Sequence, residues 1–257
     1  MRISLLTIFP DFFPPALAEG MIRAAREKGR LEVDVVNLRD HTDDSHRTTD
    51  DYPFGGGVGM IMKIEPIDRA ITSLGVTEKG TRPVGTRVLL TSPQGRRFDQ
   101  ATAIRYAGLE HLVIICGRYK GVDERVSQSL IDEEFSIGDF ILSGGEAAAL
   151  CVVDAVARLL PDVVGRFDSV ESDSFHSGLL DSAYYTRPAE YRGLKVPDVV
   201  LSGNHADIAR HRREESLRRT FERRPELLKG VELSEADARF LRRLEAEAKR
   251  NDPDRDP

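Results

Sequence analysis

At 257 residues, 40% hydrophobic and 31% charged, the chain has the composition of a globular protein with room for two domains. No apolar run is long enough to span a bilayer, and the opening MRISLLTIFPDFFPP lacks the layout of a secretory signal, so no membrane association is expected. A net charge of −6 gives no overall sign of a nucleic-acid binder, and two distant cysteines without CxxC spacing argue against structural zinc and suit a reducing cytoplasm.

Residues 2–9 are expected to form a first strand that ends at Pro10. A helix over 16–28 follows, because Pro14 and Pro15 suit a first turn and Gly29 a helix end. RLEVDVVNLR (30–39) alternates like a strand. Residues 41–60 then show no apolar period, and a loop of that length inside a compact domain is usually functional or disordered. It contains HTDDSH (41–46), whose side chains could ligate a metal but read better as a solvated loop, and YPFGGGVGM (52–60). Residues 68–74 read as a short helix.

From Thr86 the pattern is regular. TRVLLT is a strand, SPQGRR a loop and FDQATAIRYAGL a helix. HLVIIC is a strand, GRYKG a loop and VDERVSQSLI a helix; EFSIGDFIL is strand-like, SGG a loop, and EAAALCVVDAVARLL a helix stopped by Pro161. Apolar runs alternating with helices imply a parallel sheet in an α/β domain, with ligands beyond the carboxyl ends of its strands. The three loops occupy those ends and should converge. FGGGVGM lacks the GK[ST] of a phosphate-binding loop, and Met60 stands where a dinucleotide fingerprint needs its last glycine. LSGGE follows a strand and opens a helix, which suits backbone N–H presentation to a ligand. Cys116 closes an apolar run and reads as a buried thiol.

Residues 163–181 are polar and glycine-spotted and read as a linker. Beyond them the chain is loop-rich, then helical, with a tail (251–257) expected to fray. Within it IARHRREESLRRTFERR (208–224) carries seven arginines and one histidine against three glutamates. This is the local candidate for nucleic-acid contact, with Arg212, Arg213, Arg218 and Arg219 at its centre.

DDYPFGGGVGM, SPQGRRFDQ, CGRYKGVDERV, EFSIGDFILSGGE, YTRPAEYRG and VLSGNHADI occur in that order. Together they resemble the bacterial tRNA (guanine-N(1)-)-methyltransferase family of the SPOUT class, over residues 1 to about 226. The resemblance implies an α/β fold whose parallel sheet carries a deep trefoil knot, with a smaller, mostly helical C-terminal domain. It divides the chain into a methyltransferase domain (1–162), a linker (163–181) and a tRNA-binding domain (182–257). It further implies a cytoplasmic homodimer with active sites shared between subunits. The reaction implied is methyl transfer from S-adenosylmethionine to N1 of the guanosine 3′ of the anticodon in tRNA.

By motif match the cofactor would contact Leu90, Thr91, Ser92 and Pro93, then Gly117 and Tyr119. A third set would be Ile137, Gly138, Asp139, Phe140, Ile141 and Leu142, with Gly144 and Gly145. Gly55, Gly56, Gly57, Gly59 and Met60 would form a wall of the guanine pocket. The family's general base matches Asp173 and its cation Arg158. N1 must lose a proton before it attacks the methyl, and the charge that develops on O6 needs a fixed cation. One departure stands out: the family motif reads CGRYEG, and here Lys120 replaces the acidic residue tied to magnesium. No metal ligand is therefore assigned, although Asp173 and Asp181 would be the carboxylates at hand for magnesium. Two rival readings are a related enzyme acting on another RNA position and a non-catalytic RNA-binding protein.

Overall fold

Short apolar runs assemble into one parallel sheet in the computed structural model, which describes residues 1–76, 79–165 and 172–250. The expected fraying tail and residues 166–171 of the expected linker lie outside the described residues. Two compact units divide the chain, Met1–Phe167 and Asp168–Pro257.

In the first unit the strands are β1 (Arg2–Thr7), β2 (Glu32–Asn37), β3 (Asp50–Asp51), β4 (Ile61–Met62), β5 (Thr86–Arg97), β6 (His111–Ile115) and β7 (Glu133–Ser136). Five of them form a sheet in the order β2-β1-β6-β5-β7, and every pairing is parallel. The helices are α1 (Pro14–Leu17), α2 (Gly20–Glu27), α3 (Ile64–Ser73), α4 (Gln100–Ala107) and α5 (Glu146–Ala157). Strand side chains alternate between faces, and both faces are buried. Ile3, Leu5, Leu89, Leu112 and Ile114 pack with Ile22, Tyr106 and Val152 from α2, α4 and α5. Leu6, Val88, Leu90, Val113 and Ile115 pack with Ile67 and Ile71 of α3 and with Val126 and Ile131. Burial on both sides is why these strands read as unbroken apolar runs.

The elements depart from expectation at the places that shape the site. The first helix is split in two by Gly20 at φ +59°. Strand β5 continues to Arg97, because Phe135 pairs with both Thr91 and Arg96, so residues 92–95 are an excursion within one strand. The third strand stops at Ser136 rather than Leu142. Its hydroxyl accepts from the Gly138 N–H at 3.1 Å and donates to the Gly138 carbonyl at 3.0 Å, turning the chain away. The helix expected over 122–131 shrinks to a π-helical turn, Val126–Leu130. There Asp123 draws in both the N–H and the guanidinium of Arg125.

The second unit contains a hairpin of β8 (Glu190–Tyr191) and β9 (Leu194–Lys195), then α6 (Asp198–Leu201), α7 (His205–Arg223) and α8 (Glu235–Arg250). Its core is Leu179, Leu217, Phe240, Leu241 and Leu244. Asn204 caps α7 through the Ala206 N–H at 3.2 Å. Ser234 and Asp237 form a reciprocal capping box on α8, with bonds of 3.2 and 3.1 Å. Residues 172–181, read from sequence as linker, fold into this unit. Leu179 is buried in the core, and the Leu180 N–H donates to Thr220 Oγ1 at 3.0 Å.

Candidate active site

Past the carboxyl ends of β6 and β7, and beside the excursion in β5, three loops line a cleft of about 420 Å³, a size typical of small-molecule sites. The first loop is the excursion 92–95, the second follows β6 from Gly117, and the third runs from Ser136 to Gly145. Leu90, Thr91, Ser92, Pro93, Gly117 and Tyr119 all line this cleft, as do Ile137, Gly138, Phe140, Ile141, Leu142, Gly144 and Gly145. Asp139 does not line it. Its carboxylate turns to Arg97 at 3.0 Å on the surface.

The loops are locked to one another by the Thr91 side chain and by backbone. Thr91 Oγ1 accepts from the Gly117 N–H at 2.9 Å, and the Gly145 N–H donates to the Gly117 carbonyl at 2.9 Å. That N–H is therefore engaged inside the fold rather than presented to a ligand. A Cβ on Gly145 would lie 1.8 Å from Thr91 Oγ1, and one on Gly95 would lie 2.3 Å from the Phe135 nitrogen. These two glycines are needed because chain passes against chain with no room for a methyl group.

A buried ion pair to which none of the sequence motifs assigns a role lies beside the cleft. Glu146 opens α5 and is 1% exposed. Its Oε1 accepts from Thr7 Oγ1 at 2.7 Å and from Arg118 Nε at 3.1 Å, while Oε2 lies 2.9 Å from Arg118 Nη2. Arg118 also donates to the Ser143 carbonyl at 3.2 Å and lies 4.3 Å over the Phe9 ring. A buried carboxylate is tolerable only when paired, and the first turn of a helix favours its negative charge. The pair thus ties the second loop, the third loop and the end of β1 together. The signal in the sequence is a lone glutamate that opens the apolar run EAAALCVV of α5.

The glycine run behaves differently. Gly55 and Gly56 have φ of +83° and +78° with nothing near their missing side chains, so conformation alone requires glycine there. Gly59 combines φ +104° with close approach, since a Cβ would lie 2.7 Å from Lys120 Cγ. The Lys120 N–H donates to the Met60 carbonyl at 3.0 Å, and Met62 exchanges bonds with Gly121 and Asp123 at 3.0 and 2.9 Å. The glycine loop is thereby tied to the second cleft loop, and Lys120 itself lines the cleft. Burial first, and then the neighbouring Asp50 carboxylate, raise the Tyr119 hydroxyl above its ordinary range.

In the HTDDSH segment Asp44 is held by Thr48 and His46 N–H groups at 3.0 Å, and bonding to Thr48 keeps its carboxyl below the ordinary range. Among the described residues, no three His, Cys, Asp or Glu side chains are grouped to hold a metal ion. No helix among them is long and apolar enough to cross a membrane. Cys116 is fully buried, and burial pushes its thiol well up.

The two expected catalytic residues are not among those lining the cleft. Arg158 caps the carboxyl end of α5, whose other end, at Gly145, lines it. At 1.5 Å per residue, the two ends of that helix are roughly 20 Å apart. Asp173 belongs to the second unit, where its carbonyl accepts from the His176 N–H at 3.2 Å. Asp181 Oδ1 accepts from the Ser182 N–H at 2.6 Å and from the Tyr184 hydroxyl at 3.2 Å. The four candidate arginines of α7, Arg212, Arg213, Arg218 and Arg219, separate. Arg213 forms a two-pronged pair with Asp237 at 3.1 and 3.0 Å, and Arg219 bonds Glu215 at 2.9 Å. Arg218 lies 5.7 Å over Phe240, and the exposed Arg212 lies 5.2 Å over Tyr184.

Comparison with known proteins supplies an independent line. A family model described as tRNA (Guanine-1)-methyltransferase TrmD matches residues 1–230. A tRNA (guanine-N(1)-)-methyltransferase of Moorella thermoacetica is 50% identical over 244 residues, covering 95% of this chain and 96% of that protein. One of Geobacter sulfurreducens is 50% identical over 247 residues, covering 96% and 99%. One of Listeria welshimeri is 48% identical over 242 residues, covering 94% and 98%.

Proposed function

The chain belongs to the tRNA (guanine-N(1)-)-methyltransferase family, and from the cleft described above we propose that it methylates N1 of the guanosine 3′ of the anticodon in tRNA, using S-adenosylmethionine. The observation that carries this reading is the convergence of three loops on one cleft at the carboxyl edge of the sheet. Apolar Leu90, Pro93, Ile137 and Leu142 suit a flat base, while Glu124, Glu134, Arg118 and Lys120 bring both signs of charge for a zwitterionic sulfonium compound. When bound, S-adenosylmethionine supplies an electrophilic methyl group. Asp173 accepts the N1 proton of guanine, an effect typically worth about 10²- to 10⁴-fold. Arg158 faces O6 and stabilises the charge that develops there. Gly55, Gly56, Gly57, Gly59 and Met60 wall the guanine, and α7 contacts tRNA.

A deep trefoil knot, a homodimer, a division into catalytic, linking and tRNA-binding segments and a cytoplasmic location belong to the same reading. The distance of Arg158 from the cleft of its own chain supports a second copy, whose Arg158 completes the site. We take Asp173 of one chain to work with Arg158 of the other. Arg158→Ala and Asp173→Ala homodimers should then each be nearly inactive. A mixed dimer of the two keeps one intact site and should regain about half the activity if the sites act independently. A mixed dimer that binds cofactor and tRNA yet stays dead would exclude the shared site.

The position of methylation is tested with tRNA transcripts that differ only at the base 3′ of the anticodon. Guanine there should accept the methyl group and adenine should not; equal transfer to both would overturn the assignment. Lys120, in place of the family's acidic residue, implies less dependence on magnesium than in relatives with the motif CGRYEG. Lys120→Glu should raise that dependence in single-turnover rates, and an unchanged response would refute the link.

A further inference from the structure

Outside the basic helix, the second unit carries a surface that no step above uses. Residues 184–195 are exposed without a break, although the stretch contains Tyr184, Tyr185, Tyr191 and Leu194. Tyr184 is 58% exposed, Tyr191 59% and Leu194 77%. Its centre is the β8–β9 hairpin, in which Tyr191 pairs with Leu194 across a two-residue turn. Arg192 and Gly193 occupy that turn at φ +48° and +81°, the two left-handed positions that a tight, right-twisted hairpin turn demands. An L-residue is uncommon there, and its consequence is to hold Arg192 at the apex. The Arg192 guanidinium lies 5.2 Å over the Tyr191 ring, as that of Arg212 does over Tyr184. Charge in this stretch is positive: Arg187, Arg192 and Lys195 against Glu190 alone, which Lys195 approaches at 3.7 Å.

An isolated two-stranded hairpin is at best marginally stable in water, and one with both strands exposed gains little from packing on its own unit. Aromatic rings with guanidinium groups above them, on a locally positive surface of a chain with net charge −6, match one chemistry closely. Unpaired RNA offers flat bases that stack on tyrosine and arginine planes, and phosphates that arginine can reach.

We propose that the hairpin Glu190–Lys195, with Tyr184, Tyr185 and Arg187 on its approach, docks an unpaired segment of the RNA substrate, Tyr191 and Arg192 stacking on a base and Arg187 holding a neighbouring phosphate. The proposal rests on the tRNA reading above and adds to it a site outside the methyl-transfer cleft that meets α7 where Arg212 lies over Tyr184.

The test uses the full chain and a tRNA transcript. Tyr191→Ala should weaken tRNA binding roughly tenfold, within the range for one lost stacking contact. Tyr191→Phe, which keeps the ring, should bind like the parent. Arg187→Ala should lower the slope of log affinity against log salt by about one. Michaelis constants for tRNA should rise in Tyr191→Ala with the rate at saturation preserved, and calorimetric binding of S-adenosylmethionine should not change. Parental tRNA affinity in Tyr191→Ala would overturn the proposal. So would equal losses in Tyr191→Phe and Tyr191→Ala, or a change in sedimenting mass, which would assign the hairpin to a second copy of the chain. Should the parent bind tRNA but transfer no methyl group to guanine, the enzymatic reading falls while the affinity measurements still decide the hairpin.

Discussion

Two arginine–carboxylate pairs, one from each unit, differ in their setting. Arg118 and Glu146 sit beneath the cleft, with the carboxylate side chain 1% and the guanidinium 18% exposed. Arg213 and Asp237 join α7 to α8 near the surface, with the arginine 39% exposed and the aspartate 9%. The first pair holds three separate chain segments around a candidate cofactor site; the second completes a helix cap. An arginine's role is thus set by the carboxylate it meets rather than by the basic run in which it lies. Arg213 sits among seven arginines and faces inward, whereas Arg118 stands in a short loop and organises the cleft.

Glu146→Ala should produce the largest effect. It strands the Arg118 guanidinium in a buried setting, and breaking such a pair costs about 3–5 kcal/mol. The melting transition of the first unit should fall sharply, and S-adenosylmethionine binding should weaken with it. A loss below about 1 kcal/mol would mean that Arg118 finds solvent or another partner, and the contrast drawn above would fail.

Arg213→Ala should cost less, about 1 kcal/mol, the upper end for a partly exposed pair. Its signature lies in acid. Bonding to Arg213 is the main cause that holds the Asp237 carboxyl below its ordinary 3.8, with burial opposing and Ser234 assisting. The stability this contributes is present above the unfolded value and is lost as pH falls through the lower, folded value. Helix content followed by circular dichroism from pH 6 downward should therefore show a loss beginning near 3.8 in the parent, and a shallower loss in Arg213→Ala. Matching acid profiles would remove Arg213 as the cause.

Arg212→Ala should have the smallest effect on stability, within about 0.5 kcal/mol, as for most surface changes. Its effect should appear instead in tRNA binding, as a lower salt slope by about one. If Arg213→Ala and Arg212→Ala changed tRNA affinity and stability alike, the inward and outward arginines would not be distinct.

Much of the first unit was legible in the chain because its strands are buried on both faces. HLVIIC and TRVLLT read as unbroken apolar runs, and alternation with helices gave the parallel sheet and the edge where its loops meet. Boundaries were less legible where a local side-chain bond redirected the chain, as Ser136 does at Gly138 and Asp123 does at Arg125. The glycine run stands out in the sequence, but two different reasons for glycine, open space at φ > 0 and close approach at Gly59, look identical as letters.

What the sequence determines by itself is the content of each segment: which residues face a core, where a helix starts and stops, and which loops are polar. Those follow from periodicity and capping, which act over a few residues. Only the tertiary structure decides which distant groups meet. Glu146 finds Arg118 across 28 positions and Thr7 across 139, and Arg213 finds Asp237 across 24. Residues 172–181, polar and glycine-spotted, join the second unit because Leu179 finds Leu217 and Phe240. Hydrogen bonding and burial reward proximity in space, and sequence spacing carries no record of it beyond the next turn or strand.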